Sequence, residues 1–491
     1  MNEPSELISA FIGKNMFVTP GFAEKVCREN ETGTILSALA SVQRCATPVL
    51  LNEELFKSMF SAALSAGKAS ACIPCVSIVE SYSELPQKRE VAHFVRHYRA
   101  RYESIKNVLM NRPDLQGSVS IKRALERKTM DRLSLIGMVL DKYETKNGNF
   151  SLLLEDTTGT IRAVIKSDKK NAFTTAKEIT MDEVIGVTGS CNGNVIFVND
   201  LILPDLPIME FKKCPEDVSV AFISDMHVGS KMFLKDEFAK FITWINGDIG
   251  SEEQKSEILK IKYLFIIGDL VDGIGIYPEQ DNELEIKDII QQYDECAKYL
   301  TQIRKDITLI ICGGNHDALR LSEPQPVLDK RYAQSIYSLP NAIFVSNPAT
   351  VNIHAGKGFP GFNVLMYHGY SFDYYIANVE SIRLNGGYDR SDLVMKHLLQ
   401  KRHLSPTHSS TLYIPDEKRD PLVISKAPDF FITGHIHKTS VCNYKSTTMI
   451  SGSCWQSKTA FQEKVGHNPE PARVPIVNLK TRDIRIVKFA A

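Results

Sequence analysis

Five short polar motifs, each directly behind a run of apolar residues, hold most of the side chains in this sequence that could bind cations or move protons. Val218–Ile223 runs into Ser224-Asp225-Met226-His227, and Tyr263–Ile267 into Gly268-Asp269-Leu270-Val271-Asp272. Ile307–Cys312 runs into Gly313-Gly314-Asn315-His316-Asp317, Asn363–Tyr367 into His368-Gly369, and Asp429–Thr433 into Gly434-His435-Ile436-His437. Carboxylate oxygen, amide oxygen and neutral imidazole nitrogen together suit Mn, Fe or Zn better than calcium, which takes oxygen alone. Each motif alone has an ordinary explanation. Asp-x-His is a common loop accident, Gly-Asp caps helices, Asn-His-Asp makes turns, and a single His368 is most simply a core histidine. Five of the twelve histidines in such positions, in order, do not share one ordinary explanation.

The apolar runs before these motifs read as buried strands, and helical spacing near 235–246 and 282–305 places helices between them, an α/β pattern. Loops at the carboxyl ends of strands gather at one edge of an α/β sheet, so motifs two hundred residues apart can share a pocket. The glycines in the motifs allow sharp turns and close backbone approach. This α/β domain is expected over 208–491. Ahead of it, 131–207 shows five short strands (133–140, 149–154, 160–165, 184–188 and 195–198) with a polar gap at 167–183, the pattern of a small Greek-key β-barrel of the OB type. Its few aromatics (Tyr143, Phe150, Phe173, Phe197) leave single-strand binding and a structural role equally open. Residues 1–70 read as a helical docking module, with helical spacing at 35–42 and 55–63 among others. Residues 71–130 read as a linker or an accessory strand-and-helix segment whose basic run (Lys88 to Arg101) is a solvated face.

The 491 residues carry 58 basic and 58 acidic side chains, so the chain is not one that grips nucleic acid by bulk charge. Two local clusters, Lys122, Arg123, Arg127, Lys128 and Arg132, and Lys396, Lys401 and Arg402, either steer a strand or simply solvate the surface. Ten cysteines lack framework spacing, and the one CxxC, Cys72 to Cys75, has no partner pair, so reduced thiols are expected. No apolar stretch is long enough to span a bilayer and the N-terminus is not signal-like, which predicts a cytoplasmic protein.

The ordered set Asp-x-His, Gly-Asp-x-x-Asp, Gly-Asn-His-Asp, His and Gly-His-x-His resembles the calcineurin-like metallophosphoesterase superfamily. The resemblance implies a two-sheet sandwich flanked by helices and two divalent metal ions, Mn first, with Fe or Zn as alternatives. It implies that Asp225, His227, Asp269 and His437 hold one ion and Asp269, Asn315, His368 and His435 the other, with Asp269 bridging. His316 corresponds to the family's catalytic histidine and Asp317 to the residue that orients it; Asp272 matches a structural position. The order helical module, barrel, phosphoesterase resembles the small subunit of the archaeal family-D DNA polymerase and the related B subunits of eukaryotic replicative polymerases. So do the blocks His368–Asp373, Leu398–Pro406 with Pro428–His435, and Trp455–Lys464. That likeness implies a 3′-to-5′ proofreading exonuclease acting on single-stranded or mismatched DNA ends, partnered by a large catalytic subunit. A catalytically silent polymerase scaffold and a general metallophosphatase are the competing expectations.

Overall fold

A computed structural model describes residues 4–19, 49–50, 75–84, 87–126, 132–356 and 358–490. The chain divides into two compact units, Met1–Cys75 and Val76–Ala491. In the first, a helix (Pro4–Gly13) precedes β1 (Met16–Phe17), which pairs in parallel with β2 (Val49–Leu50). The helical repeats expected at 35–42 and 55–63 lie outside the described residues, as does Cys72. Strands of two residues are too short to show an alternation that sequence could reveal.

The second unit opens with β3 (Val76–Ser81) and a long helix (Val91–Leu109). A closed barrel follows, built from β4 (Arg132–Glu144), β5 (Phe150–Asp156), β6 (Gly159–Ile165), β7 (Val184–Asn192) and β8 (Val195–Ile202) in the order β4-β5-β6-β8-β7. Alternate residues such as Leu133, Leu135, Leu152, Leu154, Ile161 and Ala163 fill its interior, as period-two strands require. The polar gap after the third strand contains a helix (Lys170–Lys177) whose Ala172 and Ala176 join the barrel core.

Two six-stranded sheets make up the rest. The first contains β9 (Ser219–Ile223), β10 (Ile261–Ile267), β11 (Thr308–Cys312) and β12 (Ala342–Phe344), joined by β18 (Arg473–Asn478) and β19 (Ile484–Lys488). The second contains β13 (Ala349–Ile353), β14 (Phe362–Met366), β15 (Phe430–Thr433), β16 (Ser440–Tyr444) and β17 (Thr447–Ser451), with β3 at its edge. Phe222, Phe265 and Ile310 of the first sheet share one core with Val364, Phe430 and Ile450 of the second. The opposite face of the first sheet packs Ala221, Leu264 and Leu309 on Phe238, Tyr293 and Leu300 of helices Lys235–Ile245 and Ile289–Thr301. The outer face of the second packs Leu365 and Phe431 on Tyr375 and Leu398. The layers therefore run helix, sheet, sheet, helix. β9 and β10 are apolar almost throughout because both of their faces are covered.

Three expectations are corrected. The helix expected from 282 starts at Ile289, because the Asp288 side chain accepts a hydrogen bond from Gln291 N (2.9 Å) and caps it there. Of the two readings of 71–130, the strand-and-helix segment is the one that forms: β3 pairs antiparallel with β13, and Tyr102, Ile105 and Leu109 pack against Ile136 and Met138 of the barrel and Val423. Its basic run is not a fully solvated face. Arg101 and His97 are each 1% exposed, and Arg101 Nε donates to Asp420 Oδ2 at 2.6 Å, an oxygen that His403 Nε2 also meets at 2.8 Å. Nor are Lys401 and Arg402 available to steer a strand. Lys401 pairs with buried Glu183 of the barrel (2.8 Å), and Arg402 donates to the carbonyls of Ile424 and Ser425. A sequence shows the charge of such a residue but not the partner waiting far away in the chain. Lys122, Arg123 and Arg132 are exposed, while Arg127 and Lys128 lie outside the described residues.

Candidate metal centre

The five motifs sit at the carboxyl ends of β9, β10 and β11 in one sheet and of β14 and β15 in the other. Within each sheet these strands are parallel. The motifs thus meet where two sheet edges face each other, not along a single edge. The backbone there is unusual. Asp225, His227 and Asp269 have φ of 51°, His435 68° and His437 57°. Left-handed backbone costs a non-glycine residue about 1–3 kcal/mol and persists only where surrounding contacts hold it. Two glycines are fixed by crowding: a Cβ on Gly268, whose φ is 74°, would collide with the His368 ring, and one on Gly314 with the Asp269 carboxylate.

The structure brings the donor atoms together in two overlapping groups. His227 Nε2 lies 3.0 Å from His437 Nε2, which is 3.3 Å from Asp225 Oδ1, and His227 Nε2 is 3.9 Å from Asp269 Oδ2. In the second group His368 Nε2 lies 3.0 Å from Asn315 Oδ1 and 3.2 Å from Asp269 Oδ2. Asp269 belongs to both. First-row metals bind nitrogen and oxygen at about 2.0–2.2 Å, which spaces neighbouring donors by roughly 3 Å, so these separations fit cation ligands. Asp225, His227, Asp269 and His368 are buried to within 1%.

Each imidazole is oriented by its other nitrogen, as ligating histidines generally are. His368 Nδ1 meets the Ile267 carbonyl (2.9 Å), and His227 Nδ1 meets Asp272 Oδ1 (3.1 Å). Asp272 is itself held by the Gln280 and Gln456 amides, which gives it a definite place beneath His227. His435 stands beside His368, ring centroids 5.3 Å apart, but its Nε2 meets Asp373 Oδ2 at 2.9 Å. Only Nδ1 of His435 remains to reach a cation.

His316 is half-buried, its ring 4.6 Å from that of His227 and its backbone N–H donating to Asp269 Oδ1 at 2.8 Å. The expectation that Asp317 orients it is corrected: His316 Nδ1 meets the Asp272 carbonyl at 2.7 Å. The Asp317 carboxylate turns inward and accepts from Gly314 N (2.8 Å) and the Tyr293 hydroxyl (3.0 Å), so it braces the turn that carries Asn315 and His316.

Sequence reasoning missed several supporting residues. Asn347 Oδ1 accepts from His368 N (2.8 Å), while its amide donates to Gln325 Oε1 (2.7 Å), and Gln325 Nε2 donates to Gly314 O (3.0 Å). This chain ties the Asn315 turn to His368 across the two sheets. Nothing in sequence separates such amides from surface polar residues. Asp373 and Gln456, by contrast, stand in blocks that the resemblance already marked, as does Gln462, which contacts His437 Nδ1 at 3.0 Å.

Burial works against the His368 charge, but Asp269 and Asp225 pull this imidazole up to about 10; burial likewise opposes His437, which Cys454 and Asp225 hold well above its usual range. Burial alone would raise Asp225 and Asp269, yet the neighbouring imidazoles keep both below the ordinary carboxylate range. Burial and then Asp269 push the Asp317 carboxyl up to about 7. Two buried carboxylates thus demand positive charge at the two donor groups, and a metal entering either must displace protons.

Residues 220–442 match the family model for the DNA polymerase alpha/epsilon B subunits. The DNA polymerase II small subunit of Methanothermobacter thermautotrophicus is 41% identical over 79% of this chain and 78% of its own length. That of Archaeoglobus fulgidus is 37% identical over 83% and 79%, and that of Methanocaldococcus jannaschii 39% over 79% and 64%. A fold and site of this kind, with these relatives, define a polymerase accessory subunit. The chain belongs to the family of small subunits of the archaeal family-D DNA polymerase, also called polymerase II. A solved archaeal phosphodiesterase aligns over 55% of this chain and 99% of its own at 14% identity and a TM-score of 0.28, a likeness too distant to carry an argument. Among the described residues no helix is long and apolar enough to cross a membrane.

Proposed function

We propose that this chain is the 3′-to-5′ proofreading exonuclease of a heteromeric replicative DNA polymerase, hydrolysing phosphodiester bonds at single-stranded or mismatched 3′ ends in partnership with a large catalytic subunit. The observation that carries the reading is the convergence of Asp225, His227, Asp269, Asn315, His368 and His437, six of the seven expected ligand residues, with Asp269 within reach of both donor groups. Asp225, His227, Asp269 and His437 would hold one divalent ion, and Asp269, Asn315, His368 and His435 the other. Mn suits the mixed donor set, with Fe or Zn as alternatives. When bound, such a pair supplies Lewis acidity and an activated water. The chain's own residues do the rest. Asp272 fixes the His227 tautomer so that Nε2 faces the centre. His316, with Nδ1 anchored on the Asp272 carbonyl, has Nε2 left to move a proton. As a water oxygen bonds to phosphorus and releases its proton to solvent, the P–O3′ bond breaks and His316 in its imidazolium form, Nδ1–H held on the Asp272 carbonyl, gives its Nε2 proton to the departing O3′.

The test is incubation of the protein and its Asp225→Ala variant with Mn and a 3′-mismatched oligonucleotide. Stepwise shortening by the wild type alone is expected. Absence of shortening in any metal, with normal binding to a large subunit, would leave a scaffold. Turnover of a small phosphomonoester far above that of DNA would leave a general phosphatase.

A further inference from the structure

Where His316 reaches the surface, a cleft of about 910 Å³ opens beside it. His316 and Gly273 stand among its lining residues, so it is continuous with the candidate centre. Its volume falls in the usual range for ligand sites, about 300–1,000 Å³. Three features of its walls point to one kind of occupant. Ile274, Val327 and Tyr332 are 48%, 37% and 37% exposed, an apolar surface beside a polar centre. Lys330 and Arg320 add positive charge: Lys330 Nζ lies over the Tyr337 ring at 5.0 Å, and Arg320, over the Tyr82 ring at 5.3 Å, donates to the Ser322 and Pro324 carbonyls with no carboxylate paired to it among the described residues. The lining carboxylate Asp329 is taken up by Arg331, whose Nη2 approaches it at 2.5 Å.

Apolar and aromatic surface next to cations is what a single strand requires, bases against the former and phosphates against the latter. Position then says which part of the strand. The departing O3′ belongs to the strand that is kept, and the histidine that would protonate it stands at the cleft.

Resting on the nuclease reading above, we infer that this cleft holds the retained strand, with Tyr332 and Ile274 against the base next to the scissile phosphate and Lys330 on a backbone phosphate. The excised nucleotide lies on the other side of the centre.

The test uses the full chain with Mn and two substrates. One is a six-residue single-stranded oligothymidylate. The other is thymidine 5′-(4-nitrophenyl phosphate), which has a nucleotide on the excised side and only nitrophenol on the leaving side. The readout is the ratio of kcat/KM values, oligonucleotide over nitrophenyl ester. Tyr332→Ala and Lys330→Glu are each expected to lower that ratio about tenfold, the size of one lost stacking or phosphate contact, while Tyr332→Phe keeps it. Lys330→Glu is also expected to weaken the salt dependence of oligonucleotide KM. A ratio left at the wild-type value by both variants, with thermal midpoints near wild type, overturns the assignment. If the wild type hydrolyses neither substrate, the nuclease reading fails and takes the strand path with it.

Discussion

The barrel and the two-sheet sandwich each bury an apolar core but treat polar groups differently. On the barrel, apart from Glu183 buried against Lys401, charge stays outside: Arg162 lies over the Tyr143 ring (5.6 Å) and Lys166 over Phe197 (5.9 Å) on an exposed face. Its described strand residues keep negative φ apart from glycine, and the nearest exception, Asp182, sits in a turn. In the sandwich, two aspartates and three imidazoles occupy buried or half-buried left-handed positions at the strand ends. Regular ladders satisfy the barrel. At the sandwich edge, strain and like charge are tolerated because amide and carboxylate partners from the whole domain over-determine the loops. Chemistry is concentrated where the fold is locally least comfortable.

The largest effect should come from removing the shared carboxylate. Asp269→Asn is expected to lower Mn-dependent nuclease activity by about 10³-fold or more and to abolish the rise in thermal midpoint that Mn produces. The metal-free protein should also lose stability, because the buried His368 imidazolium loses the carboxylate that holds it charged. Calorimetry with and without Mn checks both halves. Retention of activity within tenfold would break the contrast between the two regions.

The joint between the regions comes next. Asp420 is buried, which disfavours its charge, but Arg101 and His403 hold its carboxyl well below the usual range. Since an unfolded aspartate titrates near 3.9, this stabilisation is fully present above about pH 4 and is lost as pH falls through the folded value. Asp420→Asn strands a buried arginine and is expected to destabilise by about 3–5 kcal/mol at pH 7. It should also flatten the acid limb of stability against pH, measured by urea denaturation from pH 3 to 7. A variant as acid-sensitive as wild type would place the sensitivity elsewhere.

A cavity in the barrel should separate the two regions cleanly. Leu152 is fully buried in the barrel core, so Leu152→Ala is expected to destabilise by about 2–5 kcal/mol. Activity per folded molecule should hold, since no donor atom touches the barrel. The smallest effect is predicted for Phe197→Ala on the exposed face, within about 0.5 kcal/mol of wild-type stability. Oligonucleotide affinity, by fluorescence anisotropy, should also be unchanged. A tenfold loss would make the barrel face a second strand-binding surface.

Much of this was legible in the chain. Apolar runs with polar ends located β9, β10, β11, β14 and β15 within two residues, because strands covered on both faces must be apolar throughout. The five barrel strands were legible for the related reason that alternation records an inside and an outside. Their motifs named every residue that meets at the donor groups. Poorly legible were the supports. Asn347 and Gln325 bind each other and the backbone, and neither residue type nor spacing records a partner's position. The basic run misled because Arg101 and its carboxylate are 319 positions apart.

The sequence by itself determined which elements form and which side chains stand at their ends, since both follow from local periodicity. Only the tertiary structure decided which strand ends stand in which sheet, and that His316 takes its orientation from the Asp272 carbonyl. It alone turned His435 Nε2 toward Asp373. Such choices are made by contacts between residues remote in the chain, whose free energy exists only once the sheets have packed.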